Sequence, residues 1–245
     1  MDKIAIISDV HGNIPALERV LADINRRGIE QVFCLGDIVG KGPQPAQAID
    51  LIRELCVACV VGNWEVGILD PNRHDQECWH VQRIGPERMR YLRGLGYHQE
   101  FWLSGRRVRL FHASSRGVFH RVRLDASDAE RMEMFRNPLG RATMFEADAD
   151  IIGYGDIHTS YVAHFASKVL FNAGSVGNPL DMTLASYVIL EGNYQSSTPA
   201  SFSLQTVRVP YDIEEAIQIA IKAEMPNLTE YVQELRTGRY RGMQA

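Results

Sequence analysis

Short apolar runs that end at a polar residue recur along the first two thirds of the chain. Four of them span Ile4–Ile7, Val32–Leu35, Val57–Val61 and Ile151–Tyr154. Runs of this length that are bounded by Gly and rich in β-branched residues are typical of buried β-strands. The segment Arg106–Phe111 instead alternates basic and apolar residues, which predicts a strand with two different faces.

Amphipathic patterns of helical period separate the first three of these strands. Apolar residues recur at helical spacing from Ile14 to Ile24, and a second pattern of this kind covers residues 46–55. Successive strand–helix units predict an α/β fold. Beyond residue 160 the chain reads as four short strands followed by two helices, Ile213–Met225 and Leu228–Arg236, which predicts a mixed or antiparallel sheet.

Two polar segments interrupt this order. Residues 71–104 are rich in Arg and predict a helical, cap-like insertion, and residues 126–146 predict a further helical region. No internal repeat and no Gly-, Ser- or Pro-rich linker divides the sequence. We therefore expect a single domain over residues 1–245.

The composition excludes several classes of function. The chain has 245 residues, 45% of them hydrophobic, and a net charge of −4, which argues against a broad nucleic-acid-binding surface. No apolar run reaches the roughly 18 residues of a membrane span. The first strand pattern begins within three residues of Met1, so we expect no signal peptide and a cytoplasmic protein. Assembly into a homo-oligomer is left open.

The four cysteines, Cys34, Cys56, Cys59 and Cys78, suit a reducing compartment better than a disulfide framework. Cys56 and Cys59 form a C-x-x-C motif, which elsewhere marks redox or zinc sites. Here the motif lies in an apolar run, where Cys acts as a small buried hydrophobe. We therefore interpret the pair as part of the core.

Residues of metal-binding type follow five of the predicted strands. They are Asp9 and His11, then Asp37, Asn63 and His112, and finally Asp156 with His158. Each alone is more often a cap, a turn residue or a core histidine. Together they predict a metal centre, because ligand sites in α/β sheets collect outside the carboxyl ends of strands. Seven such ligands exceed the needs of one ion and suit two ions about 3.5–4 Å apart that share a carboxylate.

These motifs, in this order, resemble those of the calcineurin-like metallophosphoesterases. The matching motifs are Asp9-Val10-His11, Gly36-Asp37, Gly62-Asn63-Trp64-Glu65, His112 and Gly155-Asp156-Ile157-His158. The flanking sequences are similar to the bacterial branch with small, phosphodiesterase-like domains. The resemblance implies an α/β (α+β) fold, a four-layer αββα sandwich of two mixed β-sheets flanked by helices.

The resemblance also implies roles for these residues. Asp9, His11 and His158 would hold the first divalent ion, Asn63 and His112 the second, and Asp37 would bridge the two. The implied ions are two Mn²⁺, with Fe²⁺, Mg²⁺ and Zn²⁺ as alternatives. The implied reaction is hydrolysis of a phosphoester by in-line attack of a hydroxide held between the ions, with Asp37, Asn63 and His112 as catalytic residues.

Asp156 departs from the family pattern, which has His at this position. As a ligand it would add a third carboxylate to the site and favour Mn²⁺ or Mg²⁺. The alternative is that Asp156 orients His112 or His158 without touching an ion. We expect it to be a ligand.

Trp64 also departs from the pattern, because the family has a His that assists the leaving group. An indole cannot supply that proton, so we expect better turnover of phosphodiesters or nucleotide anhydrides than of alkyl monoesters. His74, His80 and His120 are alternative sources of the proton. We expect Asn63, Trp64 and His120 to contact the substrate. The Gly-rich loop at residues 172–181 is either a structural turn or a source of backbone groups for the site.

The predicted function is hydrolysis of a nucleotide or another small phosphodiester by a dinuclear metal centre. Within the enzyme class, the alternatives are a dinucleoside polyphosphate hydrolase of the diadenosine tetraphosphate type and a phosphomonoesterase. A different class is a degenerate member that binds metal and nucleotide to regulate a partner. We expect a small-molecule partner, no membrane and no nucleic-acid surface.

Overall fold

Strands and helices alternate through the chain in the computed structural model, which describes residues 1–72 and 75–241. The strands are β1 (Asp2–Ile7), β2 (Gln31–Cys34), β3 (Ala58–Cys59), β4 (His98–Leu103), β5 (Arg106–Phe111), β6 (Ile151–Tyr154), β7 (Tyr161–Phe165), β8 (Lys168–Asn172), β9 (Ala185–Gly192) and β10 (Ser203–Val209). The helices are α1 (Ile14–Arg26), α2 (Pro45–Leu55), α3 (Asn63–Leu69), α4 (Asp75–Ile84), α5 (Pro86–Arg93), α6 (Asp128–Glu133), α7 (Ile213–Lys222) and α8 (Leu228–Thr237).

The strands form two five-stranded sheets, with the orders β10-β9-β1-β2-β3 and β4-β5-β6-β8-β7. In the first sheet β1, β2 and β3 are parallel, while β9 runs antiparallel to both β1 and β10. In the second sheet β5, β6 and β8 are parallel, and β4 and β7 are antiparallel edge strands. Both sheets are mixed, and the predicted fold class is confirmed.

Strand β1 is apolar from Ile4 onward because both of its faces are buried there. Ile4 and Ile6 pack between the two sheets, whereas Ala5 and Ile7 pack against the helices on the other face. This division follows from the two-residue period of a strand. The layer between the sheets also contains Phe33, Leu35, Phe101, Val108, Leu110, Ile151 and Phe171.

Helix α1 forms where a cap and an apolar stripe coincide. The side chain of Asn13 accepts a hydrogen bond from the backbone N–H of Ala16, 3.2 Å away, and Pro15 occupies the first turn, where its missing N–H costs nothing. The buried face presents Leu17, Val20 and Ile24 to the first sheet. The cap fixes where the helix begins, immediately after the loop that carries Asp9 and His11.

Two segments differ from the sequence-based expectations. Of residues 126–146, only Asp128–Glu133 is helical, so that prediction was wrong over most of its length. Pro138 lacks a backbone donor and Gly140 adopts φ +70°, and both are incompatible with a continuing helix. The expected insertion at residues 71–104 supplies α4 and α5, which pack against α2 and α3, but its last residues form β4, which pairs with β5.

Within the described ranges, no helix is long and apolar enough to cross a bilayer. The organisation of residues 1–245 as one domain stays a prediction.

Candidate metal centre

The predicted ligands converge where strands of both sheets end. Asp9, Asp37 and Asn63 follow β1, β2 and β3 of the first sheet, while His112 and Asp156 follow β5 and β6 of the second. Among the described residues, two buried groups could each hold a metal ion, and Asp9 belongs to both. The groups are Asp9, His11 and His158, and Asp9, Asp37 and His112. The structure therefore unites side chains from loops that are far apart in sequence.

The first group is compact and enclosed. Nε2 of His158 lies 3.3 Å from Oδ1 of Asp9, and Nε2 of His11 lies 3.8 Å from the same oxygen. The two histidine Nε2 atoms are 3.1 Å apart. Asp9 and His11 are fully buried and His158 is 4% exposed, so the group is shielded from bulk solvent.

This group fits a divalent cation. Nδ1 of His11 donates to the carbonyl of Val39 at 3.0 Å, and Nδ1 of His158 donates to that of Asn178 at 2.5 Å. With the protons on Nδ1, both Nε2 atoms carry lone pairs and face each other. Oδ1 of Asp9 is buried and has no hydrogen-bond partner among the residues that the structure describes. A cation would satisfy all three atoms, and backbone carbonyls commonly orient metal-binding histidines in this way.

The second group brings Asp37 and His112 together. Oδ1 of Asp37 lies 3.5 Å from Nε2 of His112, and Oδ2 of Asp37 lies 3.8 Å from Nε2 of His11. The two oxygens of Asp37 therefore face opposite groups, as a bridging carboxylate requires. Nδ1 of His112 donates to the carbonyl of Leu35 at 2.8 Å, so an ion that displaces the proton of Nε2 would meet the lone pair of that nitrogen.

The amide of Asn63 completes this side of the site. Its Oδ1 lies 2.9 Å from Nε2 of His112. When Nε2 carries no proton, the oxygen and the nitrogen both present lone pairs to the space between them, as two ligands of one cation do. In the opposite amide orientation, the nitrogen donates to His112 at 2.9 Å and to Asp156 at 3.3 Å. The side chain is thus placed either to ligate an ion or to hold two ligands together.

Asp156 makes a different contact. Its Oδ1 lies 3.8 Å from Nε2 of His112, at the margin of the second group. Both of its oxygens accept hydrogen bonds from the guanidinium of Arg121, at 2.9 and 2.8 Å. The structure thus places Asp156 beside the centre with a protein cation already bound to it, and its role as a ligand stays a prediction.

The buried charges of the centre shift one another's pKa values. Burial, with the nearby Glu65 and Asp9, raises the pKa of Asp37 well above its usual range. Burial alone would lower the pKa of His112, but Asp37, Asp9 and Asp156 outweigh it and raise the value to about 9. The cation-free centre therefore retains protons near neutral pH, and ion binding must displace them.

Several of the candidate ligands have a strained backbone. Asp9, His11, Asp37, Asp156 and His158 have φ values of 53°, 51°, 49°, 65° and 59°. This left-handed conformation is uncommon for residues other than Gly, and such positions cluster at functional sites. The sequence contains no signal for it beyond the tolerance of Asp for this conformation.

Two glycines are required by the close approach of the ligand loops. A Cβ on Gly62 would lie 2.2 Å from Oδ1 of Asp37, and a Cβ on Gly155 would lie 1.9 Å from Oγ of Ser8. These contacts are well inside van der Waals distance, so a larger residue at either position would displace a carboxylate of the site.

Glu65 is a functional residue to which the sequence analysis assigned no role. Its fully buried carboxylate accepts hydrogen bonds from the backbone N–H groups of Asp37 (2.8 Å), Ile38 (2.9 Å), Val39 (3.3 Å) and Gly62 (2.8 Å). It therefore joins the loop after β2 to the start of α3. The only sequence signal was its place in the Gly62–Glu65 motif.

The Gly-rich loop at residues 172–181 contributes to the site, which decides between the two interpretations left open above. Oγ of Ser175 donates to the carbonyl of Asp9 at 2.7 Å, and the N–H of Gly177 donates to the same carbonyl at 3.0 Å. The carbonyl of Asn178 holds His158. The loop thus supports the first ligand group through its backbone.

A cavity of about 560 Å³ opens above the centre. Its walls include Trp64 and Tyr240 and the cationic residues Lys41, Arg121, Arg123 and Arg241. Tyr240 and Arg241 follow α8, so the end of the described chain reaches the cavity, which the sequence analysis did not anticipate. The ring of Trp64 also packs edge-on against that of His11, with centroids 6.2 Å apart.

Two of the three histidines considered as proton donors are described by the structure, and neither lines the cavity. His120 does not line this cavity and is hydrogen bonded to Oγ of Ser114 at 2.9 Å. His80 is buried, and burial lowers its pKa to about 4, too low for a general acid near neutral pH. His74 lies outside the described residues. The contact of His120 with substrate stays a prediction.

The cysteines are free, and three of the four pack in or against the core. Cys34 and Cys59 are buried in the layer between the first sheet and its helices, and Cys56 packs against that layer. Burial raises the pKa of the thiols of Cys56 and Cys59 well above the usual value, which is opposite to what a reactive pair needs. This supports the interpretation of the motif as packing.

Fold and centre together define a class of enzyme. The model of the calcineurin-like phosphoesterase superfamily domain matches residues 2–194, and the chain belongs to this superfamily. It is therefore a phosphoric ester hydrolase by family, with a centre that binds divalent metal. The resemblance of the motifs is confirmed.

Three individual proteins illustrate this relationship. An uncharacterized protein of Methanocaldococcus jannaschii is 31% identical over 255 residues, covering 91% of this chain and 93% of its own. Phosphodiesterase YfcE of Escherichia coli is 25% identical over 206 residues, covering 80% of this chain and 91% of its own. The crystal structure of a metallophosphoesterase from Sphaerobacter thermophilus superimposes with a TM-score of 0.77 at 24% identity, covering 97% and 99%, and shows the same fold.

Proposed function

We propose that this protein is a dinuclear-metal phosphodiesterase that hydrolyses a nucleotide or another small phosphodiester. The observation that supports this most is the pair of ligand groups that share Asp9 and face each other across Asp37. Because the oxygens of Asp37 point to both groups, the arrangement suits two ions rather than one. The similarity to phosphodiesterase YfcE supports activity on diesters.

The residues divide the work as follows. Asp9, His11 and His158 would hold one ion and Asn63 and His112 the other, with Asp37 between the two groups. When bound, the ions, for which we propose Mn²⁺, would activate water for attack at phosphorus and neutralise the phosphate oxygens. Backbone carbonyls fix the three histidines with Nε2 facing the two ligand groups.

The leaving group receives little help from the protein. Trp64 lines the cavity beside His11, where an indole N–H can donate a hydrogen bond but not a proton. Of the alternative donors, His80 is buried with a low pKa and His120 lies outside the cavity lining. Esters with good leaving groups therefore fit this site better than alkyl monoesters.

The proposal is tested by hydrolysis assays with Mn²⁺, Mg²⁺, Zn²⁺ and Fe²⁺. We expect metal-dependent cleavage of an activated aryl phosphodiester at least tenfold faster than cleavage of glycerol phosphate. Asp37→Asn should reduce the diester rate by about 10²-fold or more, as expected for loss of a group that organises the transition state. Asp125→Asn, which alters a carboxylate lining the same cavity, is the matched control and should retain the rate. Equal rates on the two substrates would contradict a phosphodiesterase.

A dinucleoside polyphosphate hydrolase is the second candidate. It is favoured by the four cationic side chains and two aromatic rings around the cavity, which suit several phosphates and a stacked base. Diadenosine tetraphosphate would then be cleaved with a higher kcat/KM than the aryl diester. A lower value would favour the simple phosphodiesterase.

We further propose that the enzyme acts in the cytoplasm as a single domain. Four free cysteines, two of them buried in the core, support a reducing compartment. Size-exclusion chromatography with light scattering would decide between a monomer and a homo-oligomer.

A further inference from the structure

The ion pair between Arg121 and Asp156 lies at the edge of the second ligand group. The guanidinium donates to both carboxylate oxygens, from Nε to Oδ2 at 2.9 Å and from Nη2 to Oδ1 at 2.8 Å. This bidentate geometry is among the strongest that a carboxylate makes with a protein cation. Hydrogen bonding to Asp156 accordingly raises the pKa of Arg121 above its usual value, so the guanidinium stays charged.

The carboxylate of Asp156, which is paired with Arg121, lies close enough to the second group to be a ligand of the second ion. Oδ1 of Asp156 is 3.8 Å from Nε2 of His112, similar to the 3.5 Å between His112 and Asp37. The backbone N–H of Asp156 also donates to Oδ2 of Asp9 at 3.1 Å, which ties the residue to both groups. Asp156 therefore lies beside the second group, with a protein cation already bound to it.

The two partners differ in their freedom to move. The side chain of Asp156 is 2% exposed, whereas that of Arg121 is 44% exposed and lines the cavity. The arginine can therefore swing away from the pair into the cavity, while the carboxylate remains beside His112. A metal ion and a guanidinium cannot both occupy the facing side of one carboxylate, because their charges repel and the lone pairs are shared.

We propose that Arg121 competes with the second divalent ion for Asp156. Arg121 thereby weakens the second site and makes its occupancy depend on the position of one side chain. When the second ion binds, the released guanidinium faces the cavity, where substrate phosphate would receive it. The inference rests on the proposed function, because it requires two ions at the centre.

The test is Mn²⁺ binding to chelator-treated protein, measured by isothermal titration calorimetry without substrate. We expect the wild-type protein to bind one ion tightly and a second weakly. Arg121→Ala should bind the second ion about tenfold more tightly, while the first site changes less than twofold. Arg123→Ala, which removes the same charge from the same cavity, is the matched control and should leave the second site within twofold of wild type.

A double-mutant cycle separates competition from a general charge effect. In Asp156→Asn, the second site should weaken, and adding Arg121→Ala should then produce no gain. An unchanged or weaker second site in Arg121→Ala, a gain that persists in Asp156→Asn, or a single ion in every variant would each overturn the inference. If the coupling is found but no phosphoester is hydrolysed, the proposed activity fails and the competition stands.

Discussion

The carboxylates around the metal centre are stabilised by several kinds of neighbour. Asp9 accepts from Oγ of Ser8 at 2.5 Å, Asp37 accepts from the backbone N–H of Trp64 at 2.9 Å, and Asp156 is paired with Arg121. Glu65 accepts hydrogen bonds from backbone N–H groups of the ligand loops. Such hydrogen bonds offset the cost of burying a carboxylate and fix its orientation.

At this scale the first prediction concerns Glu65→Gln. A neutral amide would present N–H groups to backbone donors that now meet a carboxylate, so the loop carrying Asp37 should shift. We expect the affinity for Mn²⁺ to fall about 10- to 100-fold, the range found when residues supporting metal ligands are changed. Calorimetric titration of Mn²⁺ measures this directly.

Glu87→Gln provides the control, since Glu87 lies on α5 and pairs with Arg53 at the exposed surface. It should bind Mn²⁺ like wild type. Normal Mn²⁺ affinity in Glu65→Gln would show that Glu65 does not position the centre.

The second prediction concerns His80 and acid stability. His80 is 1% exposed and packs edge-on against Trp64 and Trp79. Burial lowers its pKa from 6.5 to about 4. The unfolded chain therefore binds a proton at a higher pH than the folded chain, so His80 destabilises the fold as the pH falls from 6.5 to 4. At pH 5 this loss is about 2 kcal/mol.

His80→Phe removes the titration and keeps an aromatic ring. The difference in unfolding free energy between pH 7.5 and pH 5, measured with urea on metal-free protein, should shrink by about 2 kcal/mol. His164→Phe, at an exposed position, serves as the control. The same pH dependence in His80→Phe and wild type would be inconsistent with a neutral, buried His80.

At the scale of elements, helix α8 connects the end of the chain to the cavity. Glu234 on this helix is 1% exposed and accepts from Nζ of Lys41 at 3.4 Å and from the backbone N–H of Arg241 at 3.4 Å. Nζ of Lys41 also donates to Asn178 at 2.7 Å. The helix therefore holds two cationic residues of the cavity wall in place. They are Lys41, between β2 and α2, and Arg241, after α8.

The third prediction tests this connection with Glu234→Gln. Burial already lowers the pKa of Lys41, and Glu234 opposes that shift. Without the carboxylate the pKa should fall further, so less of Lys41 is charged as the pH rises. We expect KM for an anionic substrate to increase about 3- to 10-fold, and more at alkaline pH, with kcat within twofold, because binding rather than chemistry is affected.

Glu230→Gln, on the same helix, is the matched control for the lost charge. It should leave KM unchanged at every pH. A fall in kcat with constant KM in Glu234→Gln would place Lys41 in the chemical step instead.

At the scale of the whole molecule, the first ligand group joins the two sheets. Asp9 and His11 follow β1 in one sheet, while His158 follows β6 in the other. An ion bound here would cross-link the sandwich at the edge where both sheets end. It would also offset the repulsion between the lone pairs of the two facing Nε2 atoms, those of His11 and His158.

The fourth prediction is therefore that metal raises thermal stability. Mn²⁺ at about 100 times its Kd should add about 2.7 kcal/mol, or about 5–10 °C in Tm for a chain of this size. Differential scanning fluorimetry of chelator-treated protein, with and without Mn²⁺, measures the shift. It should disappear in His158→Ala and persist in His164→Ala, and a shift retained in His158→Ala would argue against the first group as the stabilising site.

Local patterns predicted most of the fold. The apolar run Ile151–Tyr154 corresponds to β6 without a change of boundary, and the pattern from Ile14 corresponds to α1. The prediction failed over residues 126–146, where polar composition suggested a helix but α6 ends at Glu133, and Pro138 and Gly140 exclude a helix further on. Composition is a weak guide where no apolar periodicity supports it.

Local patterns in the sequence were sufficient to predict acidic and imidazole side chains at the strand ends. Asp9 and His11 follow an apolar run typical of a buried strand, and the later motifs repeat that arrangement. Which of these side chains contact one another depends on the tertiary structure. Glu65 reaches Asp37 across 28 positions and Arg121 reaches Asp156 across 35. Strand pairing and the length of the side chains bring these residues together, and no local pattern encodes either. Glu65 and Arg121 then orient the ligands of the centre and set its charge.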